Sequence, residues 1–113
     1  MDSTILRIYM QVRAQRKGKL PFFQKLFSSS LAGFLLKESK AFGIEQSILQ
    51  RIFGGYLKDR KLVFEQAEII PPDFPLCVEL IDQEKKLRSF AEKYRDQLED
   101  CRVVLFNTAE LLR

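Results

Sequence analysis

An α+β sandwich of the split βαβ kind is what the sequence predicts, on three observations. Short apolar and β-branched runs of strand length stand at residues 5–13, 47–53, 76–81 and 102–106. Two longer segments, residues 21–42 and 82–97, repeat their apolar residues at helical spacing. Between them lies the stretch that organises the chain: Gly43 stops a helical pattern, an apolar run follows, and Gly54-Gly55 release the chain into Lys58-Asp59-Arg60-Lys61. That layout reads as helix stop, buried strand and mobile loop.

The first strand, residues 5–13, sets Arg7, Gln11 and Arg13 among apolar neighbours and reads as a central strand covered on much of both faces. Arg16, Lys17, Gly18 and Lys19 make a basic loop. Pro21 suits the first turn of a helix, because its missing N–H would have no partner there. Phe22, Phe23, Leu26, Phe27, Leu31, Leu35, Leu36 and Phe42 hold helical spacing, but Ser28, Ser29 and Ser30 interrupt it, since serine hydroxyls compete for backbone groups. The expectation is a short helix, a break near residues 28–30 and a second helix to Phe42, with the Phe cluster in the core or at a subunit contact.

The second strand, residues 47–53, carries Arg51 within an apolar run. A buried arginine needs a partner, so Arg51 either snorkels to an edge or meets a carboxylate or a bound anion. Residues 62–70 resume β character, which makes residues 56–61 a charged, hairpin-like excursion. Pro71, Pro72 and Pro75 then force an extended link. Residues 76–81 form a third core strand, Asp82 is expected as an N-cap, and Leu87, Phe90, Ala91, Tyr94 and Leu98 stripe a helix to about Gln97. Residues 102–106 are the last strand, with Thr108 capping a terminal turn. The order is that of a ferredoxin-like βαββαβ sandwich: an antiparallel sheet with both helices on one face and an extended first helical region. Its other face is left for a copy of the chain to cover.

Composition narrows the function. At 113 residues the chain is expected to be one domain spanning residues 1–113, and 46% hydrophobic content is that of a folded core. Residues 1–61 hold twelve Lys/Arg against four Asp/Glu, and residues 62–113 seven against eleven. Such asymmetry suits an anionic ligand, a nucleic acid or the pairing of subunits. No apolar run reaches membrane-span length and the start lacks a leader pattern, so the expectation is a cytoplasmic protein without membrane insertion. With no His and only Cys77 and Cys101, imidazole dyads are excluded and metal sites are disfavoured; the two cysteines read as small core residues or, alternatively, a disulfide. Glu65, Glu68, Asp82 and Glu84 form no catalytic pattern, so no catalytic residue and no metal ligand is assigned and the chain is expected not to be an enzyme.

The run Gly43-Ile44, then Ser47-Ile48-Leu49-Gln50-Arg51, then Gly55-Tyr56 resembles the signature of the PII-like proteins grouped as domain-of-unknown-function family 190. Leu6-Arg7-Ile8-Tyr9, Gly18-Lys19, Pro75 and Val78-Glu79-Leu80-Ile81-Asp82 support it, over roughly residues 5–105. Two departures stand out: Ile52 and Leu57 replace glycines of the usual pattern, and Leu98-Glu99-Asp100-Cys101 replaces the glycine-rich phosphate segment of true PII proteins with two acids that repel phosphate.

The resemblance implies a non-enzymatic signalling or adaptor protein, assembled as a homotrimer, with a nucleotide or other small anion held between subunits. Arg51, Gly55, Tyr56 and Lys58 would line that cleft, and Lys58, Asp59, Arg60 and Lys61 would report its occupancy to a protein partner. The residues leave two alternatives open. Arg51 could instead pair with Glu79 or Asp82 in an assembly that binds no small molecule. A nucleic-acid surface of Tyr9, Phe53 and Phe64 with Arg7, Arg51 and Lys61 is the less favoured, since the aromatic-basic consensus of the common RNA module is missing.

Overall fold

The computed structural model describes residues 3–14, 30–64, 74–107 and 109–113. Its main sheet has four antiparallel strands: β1 (Thr4–Gln11), β2 (Gln46–Arg51), β5 (Pro75–Asp82) and β6 (Arg102–Phe106). They stand in the order β2-β5-β1-β6, the ferredoxin-like order predicted. The register pairs Leu6 with Leu80 and Ile8 with Val78 across β1 and β5, and Leu6 with Leu105 across β1 and β6. Because side chains alternate across a strand, Leu6, Ile8, Met10, Val78 and Leu80 share the buried face. Arg7, Tyr9 and Glu79 take the other, where the Arg7 guanidinium donates to Glu79 at 2.9 Å and lies 4.9 Å from the Phe106 ring centre.

Two described helices cover the buried face: α1 (Leu31–Phe42) and α2 (Glu84–Lys93). Leu87 and Phe90 of α2 have no solvent exposure. Phe90 sits edge-on to Phe42 at 5.5 Å and tilted against Tyr94 at 4.8 Å, while Phe34 meets Tyr94 edge-on at 5.6 Å. Edge-to-face rings avoid facing like quadrupoles. The Tyr94 hydroxyl donates to Glu38 at 2.7 Å, so its polar tip is satisfied where its ring is buried.

The start of α1 is fixed by Ser30, whose hydroxyl accepts the Gly33 N–H at 3.3 Å. Its end is a Schellman turn: Ile44 N–H donates to Ser39 O at 2.9 Å and Gly43 N–H to Lys40 O at 3.1 Å. Gly43 has φ 85°, a left-handed conformation that costs an L-residue about 1–2 kcal/mol. Gly43→Ala should therefore lower stability by about that amount, since its new Cβ would also stand 3.3 Å from Lys86 Nζ. Denaturant melts of the two proteins give the difference directly.

Several expectations require correction. Asp82 is not the N-cap of α2: it is the last residue of β5, paired with Thr4, and the capping position belongs to Gln83, which makes no side-chain cap bond. The α2 helix ends at Lys93, and turns carry residues 94–100. β2 is an edge strand, largely exposed, where the sequence reads as buried; its apolar run meets one neighbour, β5, instead of two. Of the β run expected over residues 62–70, the described residues have strand character in β4 (Val63–Phe64). It pairs with β3 (Gly54–Gly55) in a separate two-stranded ribbon. The basic loop at residues 16–19, the helix from Pro21, the break at Ser28 and Ser29, the β run at 65–70, Pro71-Pro72 and Thr108 lie outside the described residues.

Candidate functional site

Three segments far apart in sequence meet beside the ribbon. The excursion closes as a tight turn, with Arg60 N–H donating to Leu57 O at 3.0 Å and Asp59 in the left-handed region at φ 64°, a conformation Asp tolerates better than most residues. That turn presents Leu57, Lys58 and Arg60 to the end of β1 and to the 99–101 turn that follows α2. Cys101 N–H donates to Leu98 O at 3.0 Å, which holds this second turn closed.

Two clefts result, sharing Leu57, Lys58, Asp100 and Cys101. The larger, about 430 Å³, has Met10, Ala14 and Leu31 as apolar walls and Arg13, Lys58, Arg60 and Asp100 as charged ones. The Arg13 guanidinium donates to Gln11 Oε1 at 2.7 Å, so one wall residue steadies another. The smaller, about 270 Å³, opens toward Tyr9, with Lys58 and Arg102 against Glu99 and Asp100. The first cleft is cationic on balance and the second is neutral. Three cations and one carboxylate around a partly apolar hollow suit a ligand with an anionic group.

Of the residues expected at a ligand site, the structure brings only Lys58 into these clefts, and Arg60 from the expected partner loop joins it. Arg51 stands at the exposed end of β2, opposite Leu76. Gly55 lies in β3, and Tyr56 is exposed just beyond it. Glu79 and Asp82, the alternative partners for Arg51, instead hold Arg7 and Lys86. Arg13 and Gln97 were not singled out from the sequence as site residues; Asp100 and Cys101 fall in the segment 98–101 that the resemblance sets at the phosphate-binding position of true PII proteins, where its two acids read as repelling phosphate.

A second polar cluster ties the scaffold beneath. The Asp82 carboxylate accepts Glu45 N–H at 2.8 Å and Gln83 N–H at 2.7 Å, with the Lys86 ammonium at 3.5 Å. Lys86 also donates to the Gly43 carbonyl, a cation at the negative end of α1. Burial pushes the Asp82 carboxyl up, but the two N–H bonds and Lys86 outweigh it and hold the group below the ordinary carboxylate value. Glu84, another carboxylate considered for chemistry, is bound to Arg88 at 2.9 Å. Cys77 and Cys101 form no disulfide, and burial pushes the Cys77 thiol up, which keeps it protonated near neutral pH. Among the described residues no group of three or more His, Cys, Asp or Glu is placed to hold a metal, and no helix is long and apolar enough to cross a membrane.

Known proteins resemble the chain in sequence and in fold. A UPF0166 protein of Aquifex aeolicus is 27% identical over 106 residues, covering 88% of this chain and 91% of its own length. Among solved structures, that of CPII from Thiomonas intermedia, a nitrogen regulatory PII-like protein bound to ADP, AMP and bicarbonate, superposes with a TM-score of 0.55. The match covers 94% of this chain and 83% of that one at 11% identity. The same protein bound to ADP and bicarbonate gives a TM-score of 0.53, with 12% identity and the same coverage. At such identities the likeness establishes a shared fold. The model of DUF190, the family described as uncharacterized ACR, matches residues 3–110, and the chain belongs to that family.

Proposed function

We propose that this chain, acting as one PII-like unit over residues 1–113, is a non-enzymatic sensor or adaptor of the cytoplasm that works as a homotrimer and takes a small anionic ligand, a nucleotide, beside the 56–61 excursion. The observation that carries the reading is the meeting of Lys58 and Arg60 with Arg13 around the larger cleft. It joins the charged excursion to a cationic hollow, so an occupant and the turn would bear on each other. The PII-like protein of similar fold bound to ADP, AMP and bicarbonate supports a nucleotide as the ligand class.

In this reading Lys58 and Arg60 contact the anionic group. Arg51, at the end of the exposed edge strand β2, and Gly55 and Tyr56, in and just beyond β3, would complete the site from a neighbouring copy. Exposed Ile48 and Leu49 on β2, and Val103 and Phe106 on β6, leave both sheet edges apolar, which favours assembly of copies. Lys58, Asp59, Arg60 and Lys61 then report occupancy to a protein partner. Glu99 and Asp100 in the smaller cleft favour a second reading, an adaptor that takes no small molecule. A nucleic-acid surface is disfavoured because Arg7, its central cation, is bound to Glu79.

A thermal-shift series against ADP, AMP, ATP, cyclic dinucleotides and bicarbonate tests the proposal. A ligand at about a hundred times its dissociation constant stabilises the fold by roughly 2.7 kcal/mol, several degrees for a chain of this size. The expected result is a shift with one nucleotide class that disappears in Lys58→Ala/Arg60→Ala, while the unliganded melting temperature and the mass by light scattering are unchanged. No shift with any compound would leave the adaptor reading.

A further inference from the structure

The larger cleft holds one group that an anionic occupant does not call for. Asp100 lines it together with Arg13, Lys58 and Arg60, and a carboxylate beside three cations weakens their hold on a phosphate. Asp100 and Lys58 each line the smaller cleft as well, so both stand where the two hollows join. The turn that carries Asp100 is closed by the Cys101 N–H bond to Leu98 O, and Leu98 N–H in turn donates to Tyr94 O at 3.1 Å. Leu98 and Tyr94 are both buried, so the backbone at Asp100 is tied to the core. Asp100 also interacts within the chain, but a carboxylate has about four acceptor positions, enough to serve a ligand's donors besides.

We propose that Asp100 accepts hydrogen bonds from the ribose hydroxyls of the bound nucleotide and makes the site selective for ribonucleotides over 2′-deoxyribonucleotides. The inference rests on the nucleotide reading above and gives it a second point of contact. An occupant that meets Lys58 with an anion and Asp100 with hydroxyls must carry both groups within a short reach, as a nucleoside 5′-phosphate does. Its base then has Met10, Ala14 and Leu31 as the apolar wall. A vicinal diol offers two O–H donors to the two carboxylate oxygens, and bonds to an ionised acceptor are the stronger class. In dinucleotide-binding folds an acidic residue takes the ribose 2′-hydroxyl in the same way. Inorganic phosphate carries no such diol, so toward it Asp100 is repulsion alone.

Isothermal titration of the full chain with AMP, ADP and their 2′-deoxy counterparts tests this in the wild type, Asp100→Ala, Asp100→Asn and Lys58→Ala. Expected in the wild type is a preference of about tenfold for each ribonucleotide over its deoxy form. Asp100→Ala should abolish that preference, and Asp100→Asn, which keeps one acceptor oxygen, should retain part of it. Lys58→Ala should weaken ribo and deoxy forms by the same factor and leave the preference in place. Unchanged melting temperatures and masses by light scattering separate a lost contact from misfolding. Equal binding of ribo and deoxy forms to the wild type overturns the assignment and leaves the nucleotide reading intact. So does a preference that survives Asp100→Ala, with both forms shifted by one factor, because Asp100 would then act only through its field or the shape of its turn. Binding of none of these nucleotides to the wild type overturns the nucleotide reading and this inference together.

Discussion

Phe90→Ala should lower the free energy of unfolding by about 3–5 kcal/mol, the range for emptying a fully buried aromatic site. Phe90 is the ring on which both helices lean: it meets Phe42 of α1 edge-on and Tyr94 beyond α2, and has no contact with solvent. Relaxation into the cavity is limited, because Leu87, Leu80 and Ile8 are themselves fully buried on the sheet side. Domains of this size are stable by about 5–15 kcal/mol in all, so the variant should sit near the edge of folding. Urea titrations by circular dichroism would measure it. A loss below about 1 kcal/mol would mean that the site collapses without cost and that the aromatic cluster is not the joint between the helices.

Asp82→Ala should cost about 2–3 kcal/mol, because it strips charge-assisted partners from two backbone N–H groups in a partly buried site. It frees Glu45 N–H and Gln83 N–H and leaves Lys86 with the Gly43 carbonyl alone. The end of α1, the start of β2 and the start of α2 would loosen together. The pH dependence has a fixed sign. The folded state holds the Asp82 carboxyl below its ordinary value, so the stabilisation is complete above about pH 3.9 and is lost as pH falls through the lower, folded value. Melts of both proteins should therefore differ by a constant amount from neutrality down to about pH 4 and converge below it. A difference that instead shrank between about pH 7 and pH 5 would assign the effect to another group.

Much of this fold is legible in the sequence where the signal is local. The stripe Leu87, Phe90, Tyr94, Leu98 needs only helical spacing, and each of the four is buried. Gly43 announces its left-handed turn because few other residues adopt one. β6 falls where its apolar run places it.

What failed depends on topology. Asp82 reads as a cap because Asp favours that position, yet it continues the alternation of Val78 and Leu80 along β5, and pairing with Thr4 holds it in the strand. Ser47-Ile48-Leu49 reads as buried because an apolar run does not declare how many neighbours its strand has. The clefts are the extreme case. Arg13, Lys58 and Asp100 come from three segments that only the sheet order brings together, so spacing along the chain could not associate them.

The strand order also fixes the sequence of events at synthesis. β1 is made first and lies in the middle of the sheet, but the partners on either side of it are β5 and β6. Arg7 and Glu79, bonded across β1 and β5, are 72 residues apart. Until β5 has left the ribosome, Leu6, Ile8 and Met10 have no strand to align with, and a nascent chain carries an apolar β segment open on both edges. Such segments are the ones that pair with the wrong neighbour. The closing of long loops also makes folding slow relative to helical proteins of this length. Ribosome-bound chains halted before residue 75 should accordingly depend on chaperones, and chains released after residue 106 should not.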